Sequence, residues 1–316
     1  MVKLVRFLGN LVLLAVLCTL CVAVILLAYG RAMVDPWQNT PLGSQEATWI
    51  WVGERPMHVR TWGSETGKPL VLVHGFDLGG AQLWTPIGPA LGRAGYRVIA
   101  PDLPPLGLSA REAATDATVL TQVDFVAGVL EQLGAQGATV VAQGWGSAVA
   151  LQLAVQEPQF VRSLVLVGPQ LNGELTCYER IAARLPFVGD AFIWLTRGGG
   201  PLWRWVLRNQ VAAPSAELSD YARSAREATH IQGTVAALRA FYRIDPAASG
   251  PVGLSTLDVP CLVVHGALDR QVTREDAEAV AEQLHADVLT IKDAGHLVVL
   301  DQPQALREAI AEAVSR

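Results

Sequence analysis

Six short, unbroken apolar runs recur along most of the chain: PLVLVHG (69–75), YRVIAPD (96–102), ATVVAQG (138–144), VRSLVLVG (161–168), PCLVVHG (260–266) and DVLTIKD (287–293). Runs of this length without polar alternation suit strands covered on both faces, as in a parallel sheet. Helical periodicity fills several of the gaps. ATVLTQVDFVAGVLEQLG (117–134) carries apolar residues at Leu120, Val123, Phe125–Ala127 and Val129–Leu130, and Gly134 is placed to end it. TREDAEAVAEQLH (273–285) opens with Thr273 and has Asp276 three residues on, close to a capping box. Strand–helix alternation of this kind predicts a doubly wound, mostly parallel sheet with helices on both faces. Ahead of it, TWIWV (48–52) and MHVRTWG (57–63) are β-rich and split by GERP, which predicts a hairpin.

Residues 171–250 break the alternation. They hold no buried-strand run and carry Phe187, Phe192, Trp194, Trp203, Trp205, Tyr221, Phe241 and Tyr242 in helical surroundings. This pattern predicts a helical cap inserted over the sheet. Arg180, Arg184, Arg204, Arg208 and Arg223 are expected on its solvated or lipid-facing side. RGGGP (197–201) follows no strand, so it is expected as a flexible turn and not as a phosphate cradle.

The N-terminus has a different pattern. From Phe7 to Tyr29 no charge occurs, and a helix needs about 20 such residues to cross a bilayer. The run is longer than the apolar core of a cleaved signal peptide, and Ala28-Tyr29-Gly30 is a poor cleavage site. The expectation is therefore an uncleaved transmembrane signal-anchor within 1–34. Lys3 and Arg6 before the span put the N-terminus in the cytoplasm and the folded domain on the outer side. A polar linker (35–46) follows, then the core in two parts, 47–170 and 251–316, around the cap.

Composition narrows the function classes. The 316 residues carry a formal net charge of −5 with no long basic run, so a nucleic-acid partner is not indicated. Of the four cysteines, Cys18 and Cys21 lie in the apolar run. Cys177 and Cys261 read as separate small apolar residues, although pairing is open. No Cys/His cluster has metal-ligand spacing, so neither a metal nor a cofactor is expected.

In open parallel sheets, function gathers at the carboxyl ends of the strands. Those ends hold His74-Gly75-Phe76-Asp77, Pro101-Asp102, Gln143-Gly144-Trp145-Gly146, Asp269 and His296. The order and wording of LVLVHGF, VIAPDLPPLGLS, LVVHGALDRQVT and DAGHLVVLDQP resemble the α/β-hydrolase family, in its capped branch of esterases, C–C hydrolases, epoxide hydrolases and haloalkane dehalogenases. The resemblance covers about residues 47–316. It implies a nucleophile elbow at 142–146, small at Ala142 and Gly146, with the nucleophile at position 144. That residue is Gly144, which has no side chain to form a covalent intermediate.

The resemblance further implies that Asp269 orients His296 as general base, and that the backbone N–H groups of Phe76 and Trp145 form an oxyanion hole. His74 and Gly75 would support that loop. Ser147 is expected to point into its helix and Ser109 to serve turn hydrogen bonding. His58 and His265 are expected to be structural strand residues. Three functions remain open at this point. The chain could be a hydrolase in which His296 and Asp269 activate water beside Gly144. It could be an inactive relative that binds an apolar small molecule or a partner, or a scaffold.

Overall fold

The computed structural model describes residues 12–24, 47–111, 118–171, 201–243 and 250–315, together with residues 184, 185, 190, 193 and 196. The fold is built on one eight-stranded sheet: β1 (Ala47–Val52), β2 (Arg55–Trp62), β3 (Lys68–Val73), β4 (Tyr96–Pro101), β5 (Ala138–Gln143), β6 (Val161–Val167), β7 (Cys261–Gly266) and β8 (Asp287–Ile291). The spatial order is β1-β2-β4-β3-β5-β6-β7-β8. β1 and β2 form the expected antiparallel hairpin, and β2 joins β4 antiparallel. Every pairing from β4 onward is parallel.

Burial on both faces explains the unbroken apolar runs. In β3, Leu70 and Leu72 enter one core and Val71 and Val73 the other. The short helix α1 (Gly88–Arg93) precedes β4, and the second core lies under α2 (Val119–Gln132) and α3 (Gly146–Gln156), of which α3 is buried along almost its whole length. The first core receives Leu306, Ala309 and Ile310 from the C-terminal helix (303–315), together with cap residues Trp203, Leu207 and Tyr221. Helix starts follow local chemistry. The Thr118 hydroxyl accepts from the Thr121 N–H to cap α2. Thr273 and Asp276 form the full capping box of the helix Arg274–Gln283.

Between β6 and β7 the described residues form α4 (Pro201–Arg208), α5 (Ala216–Thr229) and α6 (Thr234–Phe241). Arg184, Arg204, Arg208 and Arg223 are exposed there, as solvated arginines would be, and Arg180 lies outside the described residues. The cap is tied to the core by Arg111, whose guanidinium donates to Thr234 Oγ1 (2.9 Å) and to the carbonyls of Leu106, Gly107 and Ser109.

The N-terminal expectation meets a difference. Residues 12–24 are helical and largely exposed. Among the described residues no helix is long and apolar enough to cross a membrane. The rest of the expected anchor, and the linker 35–46, lie outside the described residues.

Candidate active site

The strand-to-helix turn after β5 is the centre of the site. Gly144 has φ +54°, a conformation that costs a residue with a side chain about 1–3 kcal/mol. Its N–H donates to Val167 O (2.9 Å), and its carbonyl accepts from the N–H groups of Ser147 (3.0 Å) and Gln170 (3.1 Å). The turn is tight because α3 starts against β3. A Cβ on Gly146 would lie 2.4 Å from the His74 carbonyl oxygen, so no larger residue fits. A Cβ on Gly144 would instead lie 3.2 Å from His296 Nε2 and 3.7 Å from Gln170 Oε1. The backbone thus aims position 144 at the histidine, with no side chain in between.

His296 follows β8 and is almost wholly buried. Its Nδ1 is 2.9 Å from Asp269 Oδ2. An ionised carboxylate only accepts, so Nδ1 carries the proton and the Nε2 lone pair faces Gly144. Asp269 sits after β7, and its Oδ1 accepts from the backbone N–H groups of Gln271 (2.7 Å) and Val272 (3.0 Å). Burial opposes its ionisation most strongly. The hydrogen bond and charge of His296 and the two backbone donors together outweigh burial, and hold the carboxyl below its ordinary value. Gln143 fixes the histidine loop by donating from Nε2 to His296 O (2.9 Å).

The loop after β3 lies beside the elbow. A Cβ on Gly75 would be 3.1 Å from Gln143 O and 3.8 Å from Trp145 N, so the two backbones are in contact. His74 is fully buried and braces this loop. Its Nδ1 meets Gly75 O at 2.7 Å, and its Nε2 accepts from the Leu103 N–H at 2.8 Å. Burial, the largest cause, lowers its basicity and keeps the ring neutral. Cap residues close over this loop. Phe241, at the end of α6, stacks on Phe76 (centroids 4.0 Å, 15° apart) and meets Trp145 edge-on at 5.4 Å. Tyr242 packs edge-on against Phe76 at 5.6 Å.

The remaining candidates lie away from position 144. Ser147 is buried, and its hydroxyl donates back to Ala142 O (3.3 Å). Ser109 Oγ accepts from the His58 N–H (2.9 Å). His265 Nε2 meets Val272 O at 3.1 Å inside the sheet. Cys261 has a free thiol that burial pushes up to about 12, so it is unreactive at neutral pH, and Cys177 lies outside the described residues.

The sequence predicts a plain structural strand residue at His58, and the structure gives it a specific partner. His58 Nδ1 lies 2.7 Å from Asp102 Oδ2, both residues being buried. Asp102 also accepts from the N–H groups of Ala81 (2.5 Å) and Leu108 (2.8 Å). Three segments thus meet at one carboxylate. The pair lines a cavity of about 250 Å³ between β2, β4 and α5, with Arg60, Gln82 and Glu227 also on its wall. Its separate location from Gly144 makes it a brace of the fold and not part of the elbow.

Comparison with known proteins agrees with this architecture. The model of the alpha/beta hydrolase fold family matches residues 68–303. The chain belongs to that family. It is 28% identical over 272 residues to an uncharacterized hydrolase, YugF, of Bacillus subtilis, covering 81% of this chain and 92% of that protein. A haloalkane dehalogenase of Psychrobacter cryohalolentis is 36% identical over 106 residues, covering 33% of this chain and only 35% of the dehalogenase. A 2-hydroxymuconate semialdehyde hydrolase of a Pseudomonas species is 37% identical over 107 residues, 33% of this chain and 38% of that protein. Among solved structures, a 2-hydroxy-6-oxo-6-phenylhexa-2,4-dienoate hydrolase from Rhodococcus superposes with TM-score 0.70 at 20% identity, over 85% of this chain and 98% of that one. The haloalkane dehalogenase DbeA from Bradyrhizobium elkani does so with TM-score 0.70 at 22% identity, over 85% and 97%. These last likenesses concern the fold alone.

Proposed function

We propose that the protein is a hydrolase that lacks a covalent nucleophile and attacks its substrate with water activated by His296. The observation that carries this reading is the aim of Gly144. Its missing Cβ would point at His296 Nε2 from 3.2 Å, so the base faces the position where the resemblance implies a nucleophile side chain, and the proposed mechanism puts the attacking water beside that position. The water O–H bond breaks as its proton passes to Nε2, and the oxygen bonds to the substrate's carbonyl carbon. The oxyanion that forms is met by the N–H groups of Phe76 and Trp145. Collapse expels the leaving group, which takes the proton back from Nε2. Asp269 holds the ring and offsets the imidazolium charge.

The substrate is an apolar small molecule with a hydrolysable bond beside a carbonyl, an aryl or alkyl ester or a C–C bond. The aromatic cluster of Phe76, Trp145, Phe241 and Tyr242 supports the apolar character, and the paired oxyanion N–H groups of the proposed mechanism support the carbonyl chemistry. Because the dehalogenase and semialdehyde hydrolase matches cover about a third of those proteins, substrate class rests on the site and not on their names. The charge-free run from Phe7 to Tyr29 further supports a membrane-anchored protein, N-terminus in the cytoplasm and catalytic domain on the outer side.

A second reading, binding without turnover, is favoured by one observation: the cap residue Phe241 rests directly on Phe76 of the oxyanion loop. A fluorophosphonate probe and an ester panel separate the two. The wild type is expected to hydrolyse an aryl ester while remaining unlabelled by the probe, and Gly144→Ser to become labelled at residue 144. Labelling of the wild type at Ser147 or Ser109 would overturn the water mechanism. A wild type silent towards esters, while Gly144→Ser reacts with the probe, would favour binding.

A further inference from the structure

Gln170 lies in the loop after β6, a segment to which neither the elbow nor the base pair assigns a role. Three contacts define its position. Its N–H donates to Gly144 O at 3.1 Å, which pins the residue to the elbow. Its Nε2 donates to Gln271 Oε1 at 3.3 Å. Its Oε1 is 3.7 Å from the point a Gly144 Cβ would occupy, the point that His296 Nε2 approaches to 3.2 Å. Gln271 is itself held by its N–H to Asp269 Oδ1 (2.7 Å). One connected chain therefore runs from Asp269 through Gln271 to the Gln170 amide, and a second from Asp269 to His296. Both end at the same space.

In the structure the Gln170 amide turns its Nε2 to Gln271 Oε1. With Nε2 turned to the Gln271 oxygen, the end left towards Gly144 is an acceptor. The two groups facing the space are then a base with a lone pair, His296 Nε2, and a carbonyl oxygen, Gln170 Oε1. Water has two O–H bonds to give and needs both directed away from the carbon it attacks. We infer that Gln170 is the water-positioning residue of this site. One water hydrogen goes to His296 Nε2 and is transferred, the other stays hydrogen-bonded to Gln170 Oε1, and a lone pair is left facing the substrate carbon. Without the second acceptor the water rotates about its bond to His296 and spends less time aimed at the carbonyl. This inference rests on the water mechanism proposed above. It adds that the attacking water, beside the elbow, is held from two sides.

The test uses the full chain, an aryl ester, and the variants Gln170→Leu, Gln170→Glu and His296→Ala. Gln170→Leu keeps the side chain's bulk and removes the acceptor. It is expected to lower kcat roughly 10- to 100-fold with KM within about twofold of wild type. Gln170→Glu retains an oxygen at the same reach and is expected to restore most of the rate. A Gln170 that merely braced the loop would lower the melting temperature without this split between kcat and KM, or its recovery in Gln170→Glu. Wild-type kcat in Gln170→Leu, with His296→Ala inactive, would overturn the inference and leave the water mechanism standing. Equal rates in wild type and His296→Ala would overturn both. A crystal structure gives a readout free of turnover. A water within hydrogen-bond distance of both His296 Nε2 and Gln170 Oε1 is expected in the wild type and absent from Gln170→Leu. A wild-type site whose water touches only His296 contradicts the inference.

Discussion

His296→Ala is expected to lower kcat for an aryl ester by roughly 10²–10⁴-fold, the range that a positioned general base contributes. The residue is set for this role from both sides. Asp269 engages Nδ1 at 2.9 Å, and the ring's other nitrogen faces the space beside Gly144. Removing the ring also deprives the Asp269 carboxylate of one partner, while the N–H groups of Gln271 and Val272 remain. Some loss of stability therefore accompanies the loss of rate. His296→Asn separates the two effects. Its amide can still donate towards Asp269 but cannot accept a proton at neutral pH, so it is expected to recover stability and not activity. Steady-state kinetics beside thermal melting of both variants provides the check. Activity surviving in both would remove His296 from the mechanism.

Asp102→Ala is expected to destabilise the fold by about 3–5 kcal/mol at neutral pH, the cost of breaking a buried pair by deleting one partner. The carboxylate joins β2 through His58, the turn after β3 through Ala81, and its own loop through Leu108. Its deletion leaves these donors buried without an acceptor. The pH dependence has a definite sign. Burial, the largest single cause, opposes ionisation of Asp102. The His58 hydrogen bond and charge and the Ala81 N–H together prevail, so its folded value lies below the ordinary carboxylate range. Its stabilisation is then fully present above about pH 4 and disappears as pH falls through the folded value. Buried His74, with its basicity lowered, acts in the same direction, since protonation below about pH 6.5 favours the unfolded chain. Denaturant melts from pH 7 to 3 should show wild type and Asp102→Ala converging as pH drops. A constant gap across that range would contradict the assignment.

The sheet was readable because burial on both faces leaves a mark in the chain itself. Each run became a strand, from Lys68–Val73 to Asp287–Ile291, within two or three residues of its expected limits, although β8 is an edge strand whose Asp287, Leu289 and Thr290 are exposed. The elbow was readable because close packing of α3 on β3 demands a small residue at Gly146. Partnerships across the sheet left no such mark. His58 alternates within β2 like any strand residue, and its carboxylate partner comes 44 positions later, just past the end of β4. Gln170 belongs to no motif. It reaches the elbow only because β6 lies beside β5 and ends level with it. The stack of Phe241 on Phe76 depends on how the cap folds back over the core, which aromatic content alone does not specify.

In the proposed water mechanism no residue of this protein bonds covalently to its substrate. Intact-protein mass spectrometry of the wild type, quenched during turnover of an aryl ester, reads this out. The unmodified mass is expected at every time point while product accumulates. An acyl adduct that forms and decays at the turnover rate would contradict it, and its position would identify the nucleophile that Gly144 cannot supply.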